Sequence, residues 1–279
     1  MSERIYDLHC HSDQSDGILS PEALVSRAKS NDVTVLALTD HDTTKGLARA
    51  AAQAKKEGLT LIEGIEFSCQ WLGRGIHIVG LNIDSSAPDL CDAVEKQENL
   101  RQERAEIIAQ KLEKLGVENA LEGARQQAGV GGVIGRPHFA QYLVESGYCK
   151  SVAHSFKKYL GAGKPGDVKQ VWPEFEPMVA AIRSAGGIAV LAHPNKYKLT
   201  RTKLRAMLED FKEIGGEGIE VVSGKQELNA TRDMAMLAQQ FDLLASCGSD
   251  FHVPNAPWQE LGKFSRLPDN LAPVWSHWE

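Results

Sequence analysis

The chain has 279 residues, of which 42% are hydrophobic and 24% charged, so it is long enough to bury a large core in one barrel or in two domains. Its formal net charge of -6 argues against broad binding of duplex nucleic acid, which needs many basic side chains on one face, but it does not exclude a small phosphorylated substrate. No apolar stretch is long enough to span a bilayer, so neither duplex DNA nor a membrane is an expected partner.

Seven continuous apolar runs predict β-strands that are covered on both faces. They are Ile5–Leu8, Val33–Leu38, Leu59–Glu63, Ile76–Leu81, Ile188–Ala192, Gly218–Val222 and Leu243–Ser246. Helices are predicted between most of the strands, at Pro21–Ser30, Thr44–Lys56, Glu174–Ala185, Thr202–Ile214 and Glu227–Phe241. Because strand-then-helix repetition is typical of a parallel α/β barrel, we expect the active site at the carboxyl ends of the strands.

The alternation breaks in the middle of the chain, where no convincing strand is found. Helices are predicted there at Val94–Leu115, Pro137–Ser146 and Ser151–Leu160, with glycine-rich stretches between them. We therefore predict a small helical insertion, residues 93–168, that covers the mouth of a barrel formed by residues 1–92 and 169–279.

Histidine and carboxylate residues follow almost every predicted strand. These side chains are the ligands of catalytic divalent metals such as Mn²⁺, Fe²⁺ and Zn²⁺, and a ligand after nearly every strand requires a shared site. The pattern therefore indicates a multinuclear metallohydrolase. The six clusters are His9 and His11 with Asp16, Asp40 with His41, Glu66, His77, His193, and Asp250 with His252.

Some of these residues also have interpretations other than metal binding. Glu66 is by itself as compatible with a structural acid as with a ligand, and Glu63 is its main rival as the bridging carboxylate. His77 would ordinarily be a core histidine, and only its companions favour ligation. Asp40 is predicted to orient His41, because a ligand histidine commonly bonds a carboxylate through its second nitrogen.

The motifs that carry these clusters resemble those of the PHP (polymerase and histidinol phosphatase) superfamily, and the wider pattern resembles its TrpH/YciV-like branch. The resemblance implies a distorted (β/α)7 barrel that holds three metals, commonly manganese, although Fe²⁺ or Zn²⁺ would accept the same ligands. The motifs are Asp7-Leu-His-Cys-His-Ser-Asp-Gln-Ser-Asp-Gly17, Thr39-Asp-His-Asp42, Gly64-Ile-Glu-Phe-Ser68, Leu191-Ala-His-Pro194 and Gly248-Ser-Asp-Phe-His252.

The resemblance also implies how the ligands are shared. One metal would take His9, His11, Glu66 and Asp250, a second would take Glu66, His77 and His193, and the third would take Asp16, His41 and His252. We expect the catalytic residues to be Glu66, His193, Asp250 and His252, with the nucleophile held by the two metals that Glu66 bridges and a nearby His or Asp helping to protonate the leaving group. Members of this branch act on phosphate esters at nucleotide 5′ ends, as nucleoside 3′,5′-bisphosphate phosphatases or 5′-to-3′ exoribonucleases.

Three residues outside the metal motifs are candidates for binding a second phosphate. Pro137 at a helix start places Arg136 where free backbone N–H groups favour anions, and its guanidinium can bind phosphate with two parallel bonds. His138 adjoins it, and Lys164 lies in a glycine-rich loop. The alternative is a surface arginine at an ordinary helix start.

Other functions remain open at this stage. They are a histidinol phosphatase or another small-metabolite phosphatase, a non-catalytic PHP module and, least of all, an RNA-binding protein without activity. The expected partner is a small phosphorylated nucleotide or short 5′-phosphorylated RNA. Five cysteines without a CxxC motif, and a first strand that begins directly after Met-Ser-Glu-Arg, predict a cytoplasmic protein.

Overall fold

Seven strands form one sheet that curves into a nearly closed barrel. The computed structural model describes residues 4–129, 131–168 and 172–278, so the predicted boundary at residue 169 and the two chain ends lie outside the described residues. Each strand pairs with the next in the chain, and the Leu8 N–H closes the ring by donating to the Cys247 carbonyl at 3.0 Å. The strands are β1 (Tyr6–Asp7), β2 (Val35–Leu38), β3 (Thr60–Trp71), β4 (Arg74–Leu81), β5 (Ile188–Leu191), β6 (Gly218–Ser223) and β7 (Leu244–Gly248).

Helices cover the outside of the barrel and fill the long connection between β4 and β5. They are α1 (Pro21–Ser30), α2 (Leu47–Glu57), α3 (Pro88–Glu113), α4 (Ala120–Ala128), α5 (Arg136–Glu145), α6 (Val152–Ser155, continued by a π-turn over Phe156–Leu160), α7 (Phe175–Ser184), α8 (Arg201–Glu213) and α9 (Leu228–Gln240). The start of α1 follows the predicted signal, because the Ser20 hydroxyl accepts from the Ala23 N–H and a proline occupies the first helical position.

The interior of the barrel is a packed apolar core that is closed at the end opposite the candidate site. Small and branched side chains such as Leu8, Val79 and Val190 fill it, and Val274 enters from a short 3-10 helix near the chain end. Next to it the Trp275 ring stacks on Tyr6 with centroids 3.9 Å apart. One end of the barrel is therefore sealed, and the polar residues collect at the other.

The expectation that all the strands are parallel is wrong for β4. This strand pairs antiparallel with both β3 and β5, whereas the other neighbours are parallel. The reason is the connection: only Leu72 and Gly73 separate β3 from β4, and both have positive φ, as a type I′ hairpin turn requires. A two-residue turn reverses the chain, whereas a parallel pair needs a long crossover.

The helices between β4 and β5 form a second core. The first turns of α3 pack Leu90 and Ala93 against the barrel, and its later turns pack Ile108 and Leu112 against α4, α5 and α6. The helix α4 has no counterpart among the predicted elements. Because α3 runs unbroken from Pro88 to Glu113, the predicted boundary at residue 93 falls inside it. Among the helices of the described ranges, none has the length and apolar composition that crossing a membrane requires.

Candidate metal centre

The carboxylate of Glu66 lies at the centre of the predicted ligands. It is fully buried in the middle of β3, and five imidazoles from four different segments surround it. From either oxygen of Glu66 the nearest ring nitrogens are those of His193 at 2.9 Å, His41 and His77 at 3.0 Å, and His9 and His11 at 3.3 Å. A single carboxylate thus contacts histidines that are as far apart in the chain as His9 and His193, which are separated by 184 positions.

Two further carboxylates continue this cluster on either side of His252. Asp16 lies 3.2 Å from His252 Nε2, and Asp250 lies 3.6 Å from His252 Nδ1. Asp16 is also 3.8 Å from His41, and Asp250 is 3.5 Å from His11. All nine predicted metal ligands are therefore gathered in one place, although their division among individual cations stays a prediction.

Glu66 does not lie beyond the end of a strand, as the sequence had suggested, whereas His77 lies within β4, as it does within the predicted strand Ile76–Leu81. The hairpin of β3 and β4 extends past the rest of the barrel, so both residues lie within strands at the level of the rim. His77 pairs with Ser68, two positions from Glu66, which places the imidazole and the carboxylate diagonally on one face. His77 Nδ1 is consequently within hydrogen-bond distance of Glu66.

The backbone at two of the ligands is strained. His193 has a φ of 30° and Asp250 a φ of 55°, in the left-handed region that non-glycine residues seldom adopt. Conformations of this kind cost about 1–3 kcal/mol each and tend to occur at functional sites. Here they turn both side chains at the ends of β5 and β7 towards Glu66 and His9.

Several buried polar atoms of this cluster make no hydrogen bond of normal geometry within the described residues, although some lie within 3.3 Å of a charged neighbour. Such atoms are costly in a protein interior unless something else satisfies them. They are His9 Nε2, both ring nitrogens of His11, Asp16 Oδ1, His41 Nδ1, Glu66 Oε2 and His193 Nδ1. Groups of three or four of the clustered side chains also place their ligand atoms within 4.8 Å of one another. Imidazoles and carboxylates at this spacing fit divalent cations.

The charges of the centre are strongly coupled. Burial opposes ionisation of Glu66, but His41, His9 and His77 hold its pKa well below the usual range. Burial likewise opposes the charge on His252, and the carboxylate of Asp16 more than offsets this, raising the pKa to about 10. By contrast, burial and the neighbouring His252 and His41 lower the pKa of His11 to about 3.

Glu220 supports the ligands from behind, and the sequence did not point to it. Its carboxylate lies 3.1 Å from His9 Nδ1 and accepts the backbone N–H of His193 at 2.6 Å. It therefore fixes the ring of one predicted ligand and the main chain of another, as outer carboxylates do in metal sites. The sequence did contain one indication of its role. Glu220 is an acid in the middle of the apolar run that forms β6, and a buried charge there needs a partner.

The predicted role of Asp40 is wrong. Instead of orienting His41, its carboxylate accepts the Ser12 N–H at 2.7 Å and the hydroxyls of Ser12 and Ser15 at 2.6 and 2.7 Å. Burial raises its pKa to about 6. Asp40 thus shapes the loop that carries Asp16.

Asp42 fastens the rim of the barrel to α3. Its carboxylate accepts from the backbone N–H of Ser68 at 2.7 Å, from Gln97 Nε2 at 2.8 Å and from Arg101 Nε at 2.6 Å. Arg101 completes the arrangement by donating to the Ser68 hydroxyl at 2.9 Å. A buried ion pair therefore connects the segment beside His41 with the helices between β4 and β5.

Three arginines lie close together beside the metal centre. Arg101 and Arg104 of α3 are buried and place their guanidinium groups 5.2 and 5.4 Å from the Trp172 ring. Burial, together with the charges of Arg136 and Arg101, lowers the pKa of Arg104 to about 9. Mutual repulsion of this kind favours a bound anion. Arg101 and Arg104 were not singled out in the sequence, because they lie in a helix that is rich in charged residues.

The predicted phosphate-binding residues occupy different environments. Arg136 is the first residue of α5. Burial lowers the pKa of both Arg136 and His138, and the negative charge of Asp16 offsets part of this lowering. His138 is buried and its Nδ1 accepts the Gly135 N–H at 2.9 Å. Lys164 lies exposed in the turn after the π-helical segment.

A comparison with known families gives a direct assignment. The model of the PHP domain matches residues 7–223, which is most of the chain. The chain belongs to the PHP family. This confirms the predicted α/β barrel, and together with the relatives it makes the protein a metal-dependent phosphoesterase, that is, a hydrolase of phosphate esters.

Relatives match over nearly the whole length. A 5′-3′ exoribonuclease of Haemophilus influenzae is 46% identical, with 97% of each chain covered. A 3′,5′-nucleoside bisphosphate phosphatase of Chromobacterium violaceum is 41% identical, covering 98% of this chain and 96% of the relative. The solved structure of an amidohydrolase from Chromobacterium violaceum, with bound sulfate and no metal, superimposes with a TM-score of 0.92 at 41% identity, covering 98% and 95% of the two chains.

Proposed function

We propose that this phosphoesterase acts on nucleotides that carry two phosphate groups, either nucleoside 3′,5′-bisphosphates or the 5′ ends of short RNA. The observation that supports this best is the pairing of two sites: the cluster around Glu66, and the arginines Arg101, Arg104 and Arg136 beside it. One phosphate would bind to the arginines while the ester to be cleaved lies over the metal centre. The Haemophilus influenzae and Chromobacterium violaceum relatives carry one of these two activities each.

The two activities follow from one arrangement. If the group over the metal centre is a terminal phosphate, hydrolysis removes it from a bisphosphate. If the same position holds a phosphodiester, hydrolysis releases a mononucleotide from the 5′ end of an RNA. In both cases the second phosphate stays with Arg136, His138 and the neighbouring arginines, and Lys164 approaches it from the exposed turn.

The cofactor is proposed to be three divalent cations, with Mn²⁺ favoured and Fe²⁺ or Zn²⁺ compatible with the same side chains. Glu66 would bridge two of them, with His9, His11 and Asp250 on one side and His77 and His193 on the other, while Asp16, His41 and His252 would hold the third. Bound cations of this kind supply a water of lowered pKa and neutralise charge on the phosphoryl oxygens. Glu66, His193, Asp250 and His252 face the reacting group, and Glu220 keeps the rings of the site in place.

The decisive experiment couples metal analysis to a substrate screen. Purified protein is expected to contain close to three transition-metal equivalents and to hydrolyse adenosine 3′,5′-bisphosphate and a 5′-phosphorylated oligoribonucleotide. Histidinol phosphate, the substrate of the main alternative, is expected to react at least about tenfold more slowly, because it offers no second phosphate to the arginines. Preference for histidinol phosphate, or no turnover of either nucleotide by metal-loaded protein, would refute the proposal.

Substitution of Arg136 by alanine is expected to raise KM for the bisphosphate by about tenfold or more, the usual cost of losing a charge-assisted bond, while KM for an aryl phosphate stays nearly constant. The exposed arginine of α7 offers a matched control as Arg183→Ala. Equal changes of KM on the two substrates would show that Arg136 does not bind the second phosphate.

We further propose a cytoplasmic protein that binds neither duplex DNA nor membranes. A negative net charge and nucleotide-sized substrates support this assignment, which fractionation of cells would test.

A further inference from the structure

A small open cavity of about 290 Å³ adjoins the metal centre on the side of Asp250. Its lining is formed by Asn195, Lys196, Ser223, Lys225, Gln226, Trp258 and Gln259. The Trp258 side chain is 60% exposed, although large aromatic rings are usually covered. Two lysines on this rim contrast with the acidic balance of the whole chain.

Short hydrogen bonds tie this cavity to the candidate catalytic residues. Gln259 donates to the Asp250 carbonyl at 2.6 Å, and the ammonium group of Lys196 contacts the Asp250 carboxylate. The Lys225 N–H donates to the Trp258 carbonyl at 2.7 Å. The close approach of these segments needs Gly224, whose φ is 57° and where a Cβ would lie 2.6 Å from the Trp258 carbonyl oxygen. The ring and the lysines are therefore held next to the reacting position.

One polar group of the cavity lacks a partner among the described residues. The Ser223 hydroxyl is buried and makes no hydrogen bond there, although the neighbouring Gln226 amide is satisfied by the Val221 carbonyl and Thr231. A buried hydroxyl of this kind is costly unless a ligand supplies its partner. A hydroxyl-rich ligand such as a ribose would do so.

We propose that this cavity, defined by Lys196, Ser223, Lys225 and Trp258, binds the ribonucleotide on the 3′ side of the cleaved phosphodiester. A base stacks on Trp258, the Lys225 ammonium contacts the next phosphate, and the ribose reaches Ser223. Aromatic platforms beside basic side chains are how proteins hold single-stranded nucleic acid without reading its sequence. The inference rests on the proposed function and deepens it, because only an RNA substrate has a nucleotide at this position.

Variants of Trp258 and Lys225 test the inference, because neither residue is one of the predicted metal ligands. Trp258→Ala and Lys225→Ala are each expected to raise KM for a 5′-phosphorylated pentaadenylate by about tenfold, while KM for adenosine 3′,5′-bisphosphate changes less than about twofold. Trp258→Phe, which keeps a ring, should retain most of the affinity. Met236→Ala and Lys55→Ala, on exposed helix positions, are the matched controls. Unchanged KM for the pentamer, or equal changes on both substrates, would overturn the proposal.

Direct binding separates this inference from the proposed function. Fluorescence anisotropy of a labelled pentamer with cleavage-resistant phosphorothioate linkages reports affinity whether or not turnover occurs. Trp258→Ala should weaken binding about tenfold, and Lys225→Ala should reduce the slope of log Kd against log salt by about 0.7. Wild-type affinity in both variants would exclude the cavity as an RNA site. Binding of the pentamer without hydrolysis of any nucleotide would instead refute the proposed function.

Discussion

Replacing Glu66 with glutamine is expected to lower kcat by on the order of a thousandfold or more, because several kcal/mol of charge stabilisation depend on the cations that its carboxylate would bridge. The change is isosteric and removes only the charge. Five imidazoles lie within 3.3 Å of this carboxylate, so the amide disturbs every part of the cluster at once. Steady-state kinetics and metal content, measured on the same preparation, provide the readout.

Glu63 offers a matched control on the same strand. It was the main rival of Glu66 in the sequence, but its carboxylate lies half-buried near the Ser85 N–H at 3.4 Å, away from the histidines. Glu63→Gln is expected to leave kcat within about threefold of the wild-type value, since no interaction at the reaction centre is lost. Similar losses in the two variants would contradict the central position of Glu66. Far-UV circular dichroism establishes that both proteins are folded.

Replacing Arg101 with alanine is expected to reduce the free energy of unfolding by about 3–5 kcal/mol, because it leaves the buried carboxylate of Asp42 without its counter-charge. The corresponding fall in melting temperature, at fixed metal concentration, is roughly 6 °C or more. Adding Asp42→Asn to this variant should restore part of the stability, since the buried charge is then gone. A double variant that melts below the single one would contradict this explanation.

The exposed pair of Arg49 and Glu22 is the control for this prediction. It is also an arginine–carboxylate pair, with two contacts at 2.8 Å, but the side chains are 47% and 40% exposed. Arg49→Ala is expected to cost about 1 kcal/mol or less, because water screens such pairs. If the melting temperatures of the Arg49 and Arg101 variants agreed, burial would not be what makes the Asp42 pair important.

The sequence predicted most of the centre because ligands follow strands. His9, His11, His193 and Asp250 come at the ends of apolar runs, and a barrel brings such ends together. Glu66 was identified for the same reason, although it lies inside a longer strand, and His77 was identified only because of its companions. The direction of β4 was missed because an apolar run is compatible with either orientation. The direction of β4 is set by the two-residue connection between β3 and β4, which is too short for a parallel crossover.

Residues that act through distant partners could not be found in this way. Glu220 is 211 positions from His9, and only the closed barrel brings the two together. Arg101 and Arg104 occur in a helix rich in charges, where the presence of an arginine alone does not distinguish a buried side chain from a solvated one. They lie on the same stripe as Ala105, Ile108 and Leu112, and that spacing of three and four was the available signal.

The bond between Asp42 and Arg101 also bears on how specificity in this family could be redesigned. In the proposed function the helices between β4 and β5 supply arginines to the substrate, yet one of those arginines, Arg101, also neutralises an acid next to the predicted ligand His41. Replacing these helices with those of a relative would change the residues that bind the substrate. The replacement would also need an arginine at the position of Arg101 to neutralise Asp42. The helices between β4 and β5 and the segment that carries Asp42 must therefore be redesigned together, because the helices are not an independent module.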